Sequence, residues 1–124
     1  MKTAYAWLVV NGFIESEKFR QIFSWLVEAA EKQQCILEIK TNTQLLPKLV
    51  MGEEELLTGC RRPQFVIFWD KDVRLARLLE KLGLRLFNCA QSIEICDDKA
   101  RTHLELLDQK IRMPKTIIAP KTFR

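Results

Sequence analysis

The stretch QFVIFWDKDVRLARLLEKLGLRLF, residues 64–87, decides the fold. Its first six residues predict a buried strand, because nearly all of them are apolar. Asp72 is a suitable N-cap for a helix over 73–82, and Gly83 marks the C-terminal end of that helix. Residues 84–87 then predict another strand. A strand, a helix and a strand joined by short connections indicate a right-handed crossover between parallel strands.

The sequence before this stretch repeats the alternation of strand and helix. Residues 4–10 are continuously apolar, as is typical of a central strand in a parallel sheet, and they end at the turn signal Asn11-Gly12. Ser16 is suited to cap a helix that extends to about residue 33 and carries an apolar stripe for the sheet. Residues 36–39 predict the next strand.

Two segments between the second predicted strand and residue 64 have a weaker hydrophobic periodicity. Asn42 is suited to cap a short helix around Leu45-Leu46, which Pro47 would keep brief. Residues 48–63 show no clear periodicity and are rich in turn-forming residues, so we expect a surface excursion there.

The sequence after residue 87 continues the α/β pattern. It predicts a short helical turn at 92–95, a helix from Lys99 to about residue 109 that follows Asp97-Asp98, and a final short strand at 116–119. The predicted fold class is therefore α/β, with a three-layer α/β/α, Rossmann-like architecture and a mostly parallel sheet of about four to five strands.

Length and composition indicate one folded domain. The chain has 124 residues, of which 48% are hydrophobic, and a formal net charge of +4. The basic residues are spread among the acids, and no aromatic residues are interleaved with a basic cluster, which argues against nucleic-acid binding. The first apolar run has about seven residues, too short for a signal segment or a membrane span, so we expect no membrane association and a cytoplasmic location.

The cysteines and tryptophans are interpreted as structural residues. The four cysteines form no Cys-x-x-Cys pair and His103 is the only histidine, which argues against a metal site. Three of the four thiols lie in or beside apolar runs and are expected to be buried and reduced. Trp7, Trp25 and Trp69 fall within apolar runs and are expected in the core.

Polar residues that follow predicted strands are the candidate site residues. Ligands of open α/β sheets bind at the carboxyl ends of strands, where Asn11, Asp70 and Asn88 stand. The chain lacks both the dinucleotide fingerprint and the P-loop, so a glycine-rich phosphate cradle is excluded. Capping alone accounts for Asp72, whereas functional and structural roles both stay open for Asp70.

Lys99 is a candidate phosphate contact. The helix dipole disfavours a cation in the first turn, and an anion such as a phosphate would compensate for that position. The alternative is a solvated surface lysine. His103 lies one turn further on the same face and is interpreted as a partly buried structural residue.

Four stretches, taken in order and spacing, closely resemble the N-terminal pre-ATP-grasp region of RimK-like ATP-grasp ligases. The stretches are AWLVVNGF (6–13), FVIFWDKDVRLARLLEKLGLRLFN (65–88), IEICDDKARTHLEL (93–106) and MPKTIIAPKTF (113–123). This resemblance covers nearly the whole chain. Ligases of this family join a carboxylate to an amine with ATP and magnesium.

The resemblance implies roles for particular residues. Lys99, in the family's Asp-Lys pair, would contact the ATP phosphates, while Asn11, Asp70 and Asn88 would line the acceptor-substrate side of the cleft. The resemblance assigns no catalytic residue and no metal ligand to this chain. ATP and magnesium are therefore expected only in the complete enzyme.

The resemblance also implies how the chain is organised. Residues 1–114 would be the pre-ATP-grasp domain, and 115–124 the start of the strand that leads into an ATP-grasp domain. The family's lysine strand, glycine-rich loop and late magnesium ligands have no counterpart in 1–124, so the chain is expected to be a domain fragment that is inactive alone. Its partners would be the ATP-grasp lobes of the same polypeptide and the carboxylate and amine substrates. The apolar patch left by absent lobes would favour a homo-oligomer.

Two alternatives to a ligase domain stay open from the sequence. The chain could be a free-standing α/β binding or protein-interaction module with the same fold. A redox or metal domain that uses the cysteines is a further alternative, which the cysteine spacing argues against.

Overall fold

The computed structural model describes residues 2–45, 47–50, 53–56 and 61–121. The predicted helix position Leu46, the turn residues Gly52 and Gly59, and Cys60 lie outside them. The elements in chain order are β1 (Ala4–Val10), α1 (Glu17–Lys32), β2 (Cys35–Thr41), β3 (Pro47–Val50), β4 (Glu53–Leu56), β5 (Phe65–Trp69), α2 (Val73–Lys81), β6 (Leu86–Phe87), α3 (Ala90–Asp97) and α4 (Lys99–Leu107).

The main sheet has four strands in the order β2-β1-β5-β6, and every neighbouring pair is parallel. Strand β1 is central because six of its seven residues are buried, so both of its faces lie against apolar side chains. Helix α1 lies on one face of the sheet, and α2 and α3 lie on the other. The α/β fold with three layers is thus confirmed.

The larger core lies between the sheet and the pair of helices α2 and α3. It contains Trp7, Phe68 and Leu79, each at most 1% exposed. On the opposite face, α1 packs Phe23 and its neighbours one and two turns further along against a smaller core beneath β1 and β2. No residue of α1 is fully buried, so this face is the thinner layer.

On the sheet face where α1 packs, the part formed by β5 and β6 is only partly covered by the described helices, since α1 reaches Trp69 through Phe23. Trp69 is 43% exposed and Phe87 is 49% exposed there, although both belong to strands. Trp25 on α1 is 58% exposed. The prediction of a core position is therefore confirmed for Trp7 and wrong for Trp25 and Trp69, because apolar runs do not reveal which face lacks a covering layer.

Side-chain caps fix the starts of two helices. The Asp72 side chain accepts a hydrogen bond from the Leu75 backbone N–H at 3.0 Å, as predicted, and α2 then ends before Gly83, whose φ of +84° suits glycine. Asp98 caps α4 in the same way. Ser16 occupies the N-cap position of α1, yet its side chain makes no capping hydrogen bond.

The short helix expected around Leu45 is wrong. Residues 42–44 form a turn in which the Gln44 and Leu45 backbone N–H groups both donate to the Thr41 carbonyl. The Asn42 side chain caps no helix, because it accepts a hydrogen bond from the Gly12 backbone N–H at 2.9 Å instead. Tertiary contact has overridden a local capping signal at this point.

Part of the range 48–63, where a surface excursion was expected, forms a small sheet of its own. Strands β3 and β4 pair antiparallel in a hairpin, with Pro47 opposite Leu56 and Val50 opposite Glu53. Cross-strand pairing decides such a hairpin, and its residues show no period-two apolar pattern that would announce it. The strand predicted at 84–87 is shorter than expected, Leu86–Phe87. The helical turn predicted at 92–95 is a longer helix, α3.

The strand expected at 116–119 is absent, since residues 111–120 have no regular structure. An apolar segment forms a strand only when another strand pairs with it, and none of the described strands lies alongside.

The prediction that three of the four thiols are buried is wrong as well. Cys89 and Cys96 are exposed and Cys35 is half-buried, and all three are free thiols.

A polar network lies on the α2 side of β1 and β2. The Trp7 indole N–H donates to the Tyr5 hydroxyl at 3.1 Å, and that hydroxyl donates to the Glu38 carboxylate. Lys40 pairs with the same carboxylate at 2.8 Å. The hydrogen bonds from Lys40 and Tyr5 hold the pKa of Glu38 below its usual range.

Among the helices that the structure describes, none is long and apolar enough to cross a membrane.

Candidate functional site

The order of the strands places a topological switch point between β1 and β5. From β1 the chain passes through α1 to β2 on one side, and from β5 it passes through α2 to β6 on the other. Because the two connections run in opposite directions on opposite faces, a crevice opens outside the carboxyl ends of β1 and β5. Val10 and Trp69 are paired at that edge, so Asn11 and Asp70 follow side by side.

Asn11 and Asp70 are joined by a hydrogen bond across the switch point. The Asn11 side-chain nitrogen donates to Asp70 Oδ1 at 3.3 Å, and the backbone N–H of Lys71 donates to the same oxygen at 2.8 Å. The Asn11 side-chain oxygen is occupied by the Phe13 N–H at 2.8 Å, which orients the amide toward Asp70. Asp70 Oδ2 is buried and accepts no hydrogen bond from the described residues. The carboxylate is thus satisfied at one oxygen and not at the other.

Gly12 is required by the close approach of the loop after β1 to the turn after β2. A Cβ atom on Gly12 would lie 2.8 Å from Thr43 Oγ1 and 3.1 Å from Thr41 Cβ. The Asn42 side chain holds the Gly12 N–H in this position. The loop that carries Asn11 is therefore fixed by contacts from the neighbouring strand end.

A cavity of about 260 Å³ opens beside this pair on the α1 side of the sheet. Phe23 contacts Trp69 edge to face, with ring centroids 5.6 Å apart, and closes one wall. The aromatic cavity, as we name it, is lined by Asn11, Ile14, Phe19, Phe23, Trp69, Asp70 and Lys71. Apolar walls with a few convergent polar groups are typical of small-molecule sites.

Asn88 lies at the end of β6, next to Asp70 in space. Asp70 and Asn88 line a second cavity together with Trp69 and Phe87. The peptide bond between Phe87 and Asn88 is cis. The structure therefore brings three of the residues singled out from the sequence, Asn11, Asp70 and Asn88, to one edge of the sheet.

Lys99 does not line either cavity, but the helix junction before it is tied to the cavity rim. Lys71 Nζ lies 2.8 Å from Asp97 Oδ1, and this carboxylate raises the pKa of Lys71. Asp97 is the last residue of α3, and Lys99 is the first residue of α4. One ring nitrogen of His103 lies 2.7 Å from the Lys99 carbonyl oxygen, so these two residues share a face as expected.

Two arginines fix the helices behind this junction. Glu94 on α3 pairs with Arg77 on α2 and with Arg101 on α4, the latter at 2.9 Å. Thr102 adds a hydrogen bond from its hydroxyl to the Ile95 carbonyl at 2.6 Å. The ion pairs of Arg77 and Arg101 hold the pKa of Glu94 low, so the carboxylate stays charged.

Cys89 is an exposed thiol at the N-cap position of α3. It forms a hydrogen bond with the Ser92 hydroxyl, the sulfur–oxygen distance being 3.3 Å. This hydrogen bond, with a further contribution from the Ser92 backbone N–H, lowers the pKa of the thiol.

Within the described ranges, no three His, Cys, Asp or Glu residues lie close enough together to hold a metal ion.

Sequence reasoning missed the aromatic walls of the site. The apolar stripe of α1, to which Phe19 and Phe23 belong, was assigned to the sheet, and Trp69 was assigned to the core. The signal that could have found them is the alternation in β5, which places Phe65, Ile67 and Trp69 on one face of the sheet, the face on which α1 packs. The pairing of Lys71 with Asp97 joins the connection before α2 to the end of α3, and no local sequence pattern predicts it.

Comparison with known proteins gives one partial likeness. Sixty residues are 38% identical to a Mycoplasma pneumoniae protein described as "Uncharacterized protein MG012 homolog", and the match covers 48% of this chain. It covers 21% of that protein, so the chain spans about a fifth of the length of the relative it matches. No model of a protein family and no solved structure matches the chain.

Proposed function

We propose that this chain is the N-terminal, pre-ATP-grasp domain of an ATP-dependent carboxylate-amine ligase. The observation that carries the proposal is the convergence of Asn11, Asp70 and Asn88 at the carboxyl ends of three parallel strands. These are the positions that the resemblance to RimK-like ligases assigns to the acceptor side of the cleft. A switch point is also where open α/β sheets bind their ligands.

Lys99 is the residue that we assign to the ATP phosphates. It is exposed at the first position of α4, and its backbone follows Asp98, whose side chain caps the helix. The helix dipole disfavours its charge there, so a phosphate would be stabilised by both the ammonium group and the helix terminus. The ion pair between Lys71 and Asp97 supports this role because it attaches the same junction to the rim of the aromatic cavity.

The chain supplies only part of such an enzyme. Its described residues offer Lys99 as a cation for ATP and no cluster of metal ligands, so the adenine and magnesium contacts would come from the ATP-grasp lobes. ATP and magnesium would supply the activation of the carboxylate there. We place the protein in the cytoplasm, which suits three free thiols. Recovery of the native protein from an extracytoplasmic fraction would contradict that location.

The test replaces Lys99 with Met in the full-length native polypeptide. Formation of ADP is measured with magnesium, a carboxylate and a panel of amines, and KM for ATP is determined for each variant. We expect Lys99→Met to raise KM for ATP by about tenfold or more, since a charge-assisted contact is lost. Thermal unfolding should change little, because an exposed first-turn lysine contributes little to stability.

Lys18→Met is the matched control, since Lys18 is also an exposed lysine in the first turn of a helix. It should leave KM for ATP unchanged. An unchanged KM in the Lys99 variant would remove the phosphate role. Absence of any amine-dependent ADP formation by the native polypeptide would remove the ligase proposal as a whole.

A free-standing interaction module is the second candidate function. The observation that favours it is the partly covered face of β5 and β6, where Trp69 and Phe87 are both over 40% exposed. Exposed aromatic residues of this kind are common at protein interfaces. A native polypeptide that consumes no ATP and forms a stable complex through Trp69 would support this candidate against the first.

A further inference from the structure

The walls and the polar groups of the aromatic cavity differ sharply in chemistry. The walls are formed by the apolar side chains of Ile14, Phe19, Phe23 and Trp69. Asn11 donates to Asp70 and accepts from Phe13, and these two hydrogen bonds orient its amide. Asp70 carries a buried side-chain oxygen that accepts no hydrogen bond from the described residues.

A ligand that carries a hydrogen-bond donor would satisfy the carboxylate of Asp70. Its hydrogen bonds within the described ranges come from an amide and a backbone N–H, both uncharged, and its second oxygen is buried without a partner. A buried carboxylate oxygen without a donor is costly, so a ligand that supplies one gains affinity. The terminal torsion of aspartate is broad, so a small turn about Cβ–Cγ lets a group in the cavity reach the carboxylate.

The charges at the rim favour a cation over an anion. Lys71 also lines the cavity, but its ammonium group is paired with Asp97 at 2.8 Å. Of these two charged side chains, Asp70 has only uncharged hydrogen-bond donors among the described residues, whereas Lys71 has a carboxylate partner. An ammonium group would meet both the hydrogen-bonding and the charge requirements of the site.

The size of the cavity favours a small ligand. Its volume of about 260 Å³ lies just below the range of about 300–1,000 Å³ that is typical of pockets for drug-sized molecules. The aromatic walls suit a flat or branched apolar group of that size.

We propose that the aromatic cavity binds a small primary amine with an apolar, preferably aromatic, body, whose ammonium group donates to Asp70. The identification of this amine as the acceptor substrate rests on the proposed ligase function. The binding itself does not, because every group that contacts the amine belongs to this chain.

The test is a titration of the 124-residue chain itself, without ATP, followed by NMR of labelled protein and by calorimetry. The probes are 2-phenylethylamine, its neutral analogue 2-phenylethanol, and 2-aminoethanol, which keeps the ammonium group and lacks the apolar body. We expect 2-phenylethylamine to bind about tenfold or more tightly than either analogue and to shift the Trp69 indole and Asn11 side-chain signals. Equal affinity for amine and alcohol, or no binding at millimolar amine, would overturn the proposal.

Variants separate the two parts of the site. Asp70→Asn keeps the shape and the accepting oxygen and removes the charge, so affinity for the amine should fall about tenfold while affinity for the alcohol stays within about twofold. Trp69→Ala should weaken both ligands. Asp108→Asn, an exposed acid at the end of α4, is the control and should change neither. An Asp70→Asn chain that binds the amine as tightly as the original would refute the assigned role.

The two proposals can fail independently. Amine binding by the chain without any amine-dependent ADP formation by the native polypeptide would leave the cavity assignment standing and remove the ligase role. A ligase that responds to Lys99→Met while the chain prefers no amine would have the opposite meaning.

Discussion

Replacement of Asp72 by Ala should destabilise the protein without changing ligand binding. The Asp72 side chain satisfies the Leu75 N–H at the start of α2, and loss of such a cap costs about 1 kcal/mol. Loss of a negative charge at the helix N-terminus adds about 0.3–1 kcal/mol. The free energy of unfolding should therefore fall by about 1–2 kcal/mol. Urea unfolding monitored by circular dichroism measures this as a lower midpoint with an unchanged m-value.

Ser16→Ala is the matched comparison for this prediction. Ser16 holds the same N-cap position on α1 but makes no capping hydrogen bond, so its loss should cost less than about 0.5 kcal/mol. The reasoning is refuted if Ser16→Ala costs as much as Asp72→Ala, since N-cap position alone would then decide the energy. It is equally refuted if Asp72→Ala abolishes binding of 2-phenylethylamine in a protein that remains folded, because Asp72 would then belong to the site.

Two further predictions follow from the pKa shifts. Iodoacetamide should alkylate Cys89 faster than Cys96 at neutral pH, since a lowered pKa leaves more thiolate, and Ser92→Ala should slow that reaction when peptides are quantified by mass spectrometry. For Glu38 the folded-state pKa is depressed, so its contribution to stability is present above the unfolded value of about 4.3 and is lost as pH falls through the folded value. Urea midpoints should therefore drop less between about pH 6 and pH 3 in Glu38→Gln than in the original protein, and a parallel drop would contradict this.

Local patterns were sufficient for the elements that local contacts stabilise. Asp72 and Gly83 bound α2 as predicted, since a cap and a positive-φ stop act within one turn of the chain. The hairpin of β3 and β4 was missed because each of its strands depends on the other. The predicted strand at 116–119 failed for the same physical reason, since strand propensity has no effect without a partner edge.

The same distinction between local and tertiary contacts explains which residues of the site were predicted from the sequence. Asn11, Asp70 and Asn88 were found because they follow strands, and parallel strands end at a common edge. The aromatic walls were not found, because the exposure of Trp69 depends on tertiary packing: among the described helices, α1 alone packs on that face. The unpaired oxygen of Asp70 depends on where Asn11 directs its amide, which backbone contacts of the loop decide.

The attachment of α4 has a dynamic consequence. No residue of α4 is fully buried, and the ion pair of Arg101 with Glu94 lies on the surface, where added salt weakens such pairs. Such a helix can open locally while the core beneath α2 stays closed, and its opening is favoured as ionic strength rises. Lys99 is the first residue of α4, so the distance from its ammonium group to a ligand depends on local opening of the helix as well as on its mean position. A phosphate that bound Lys99 would restrain the opening and stabilise α4 by mass action.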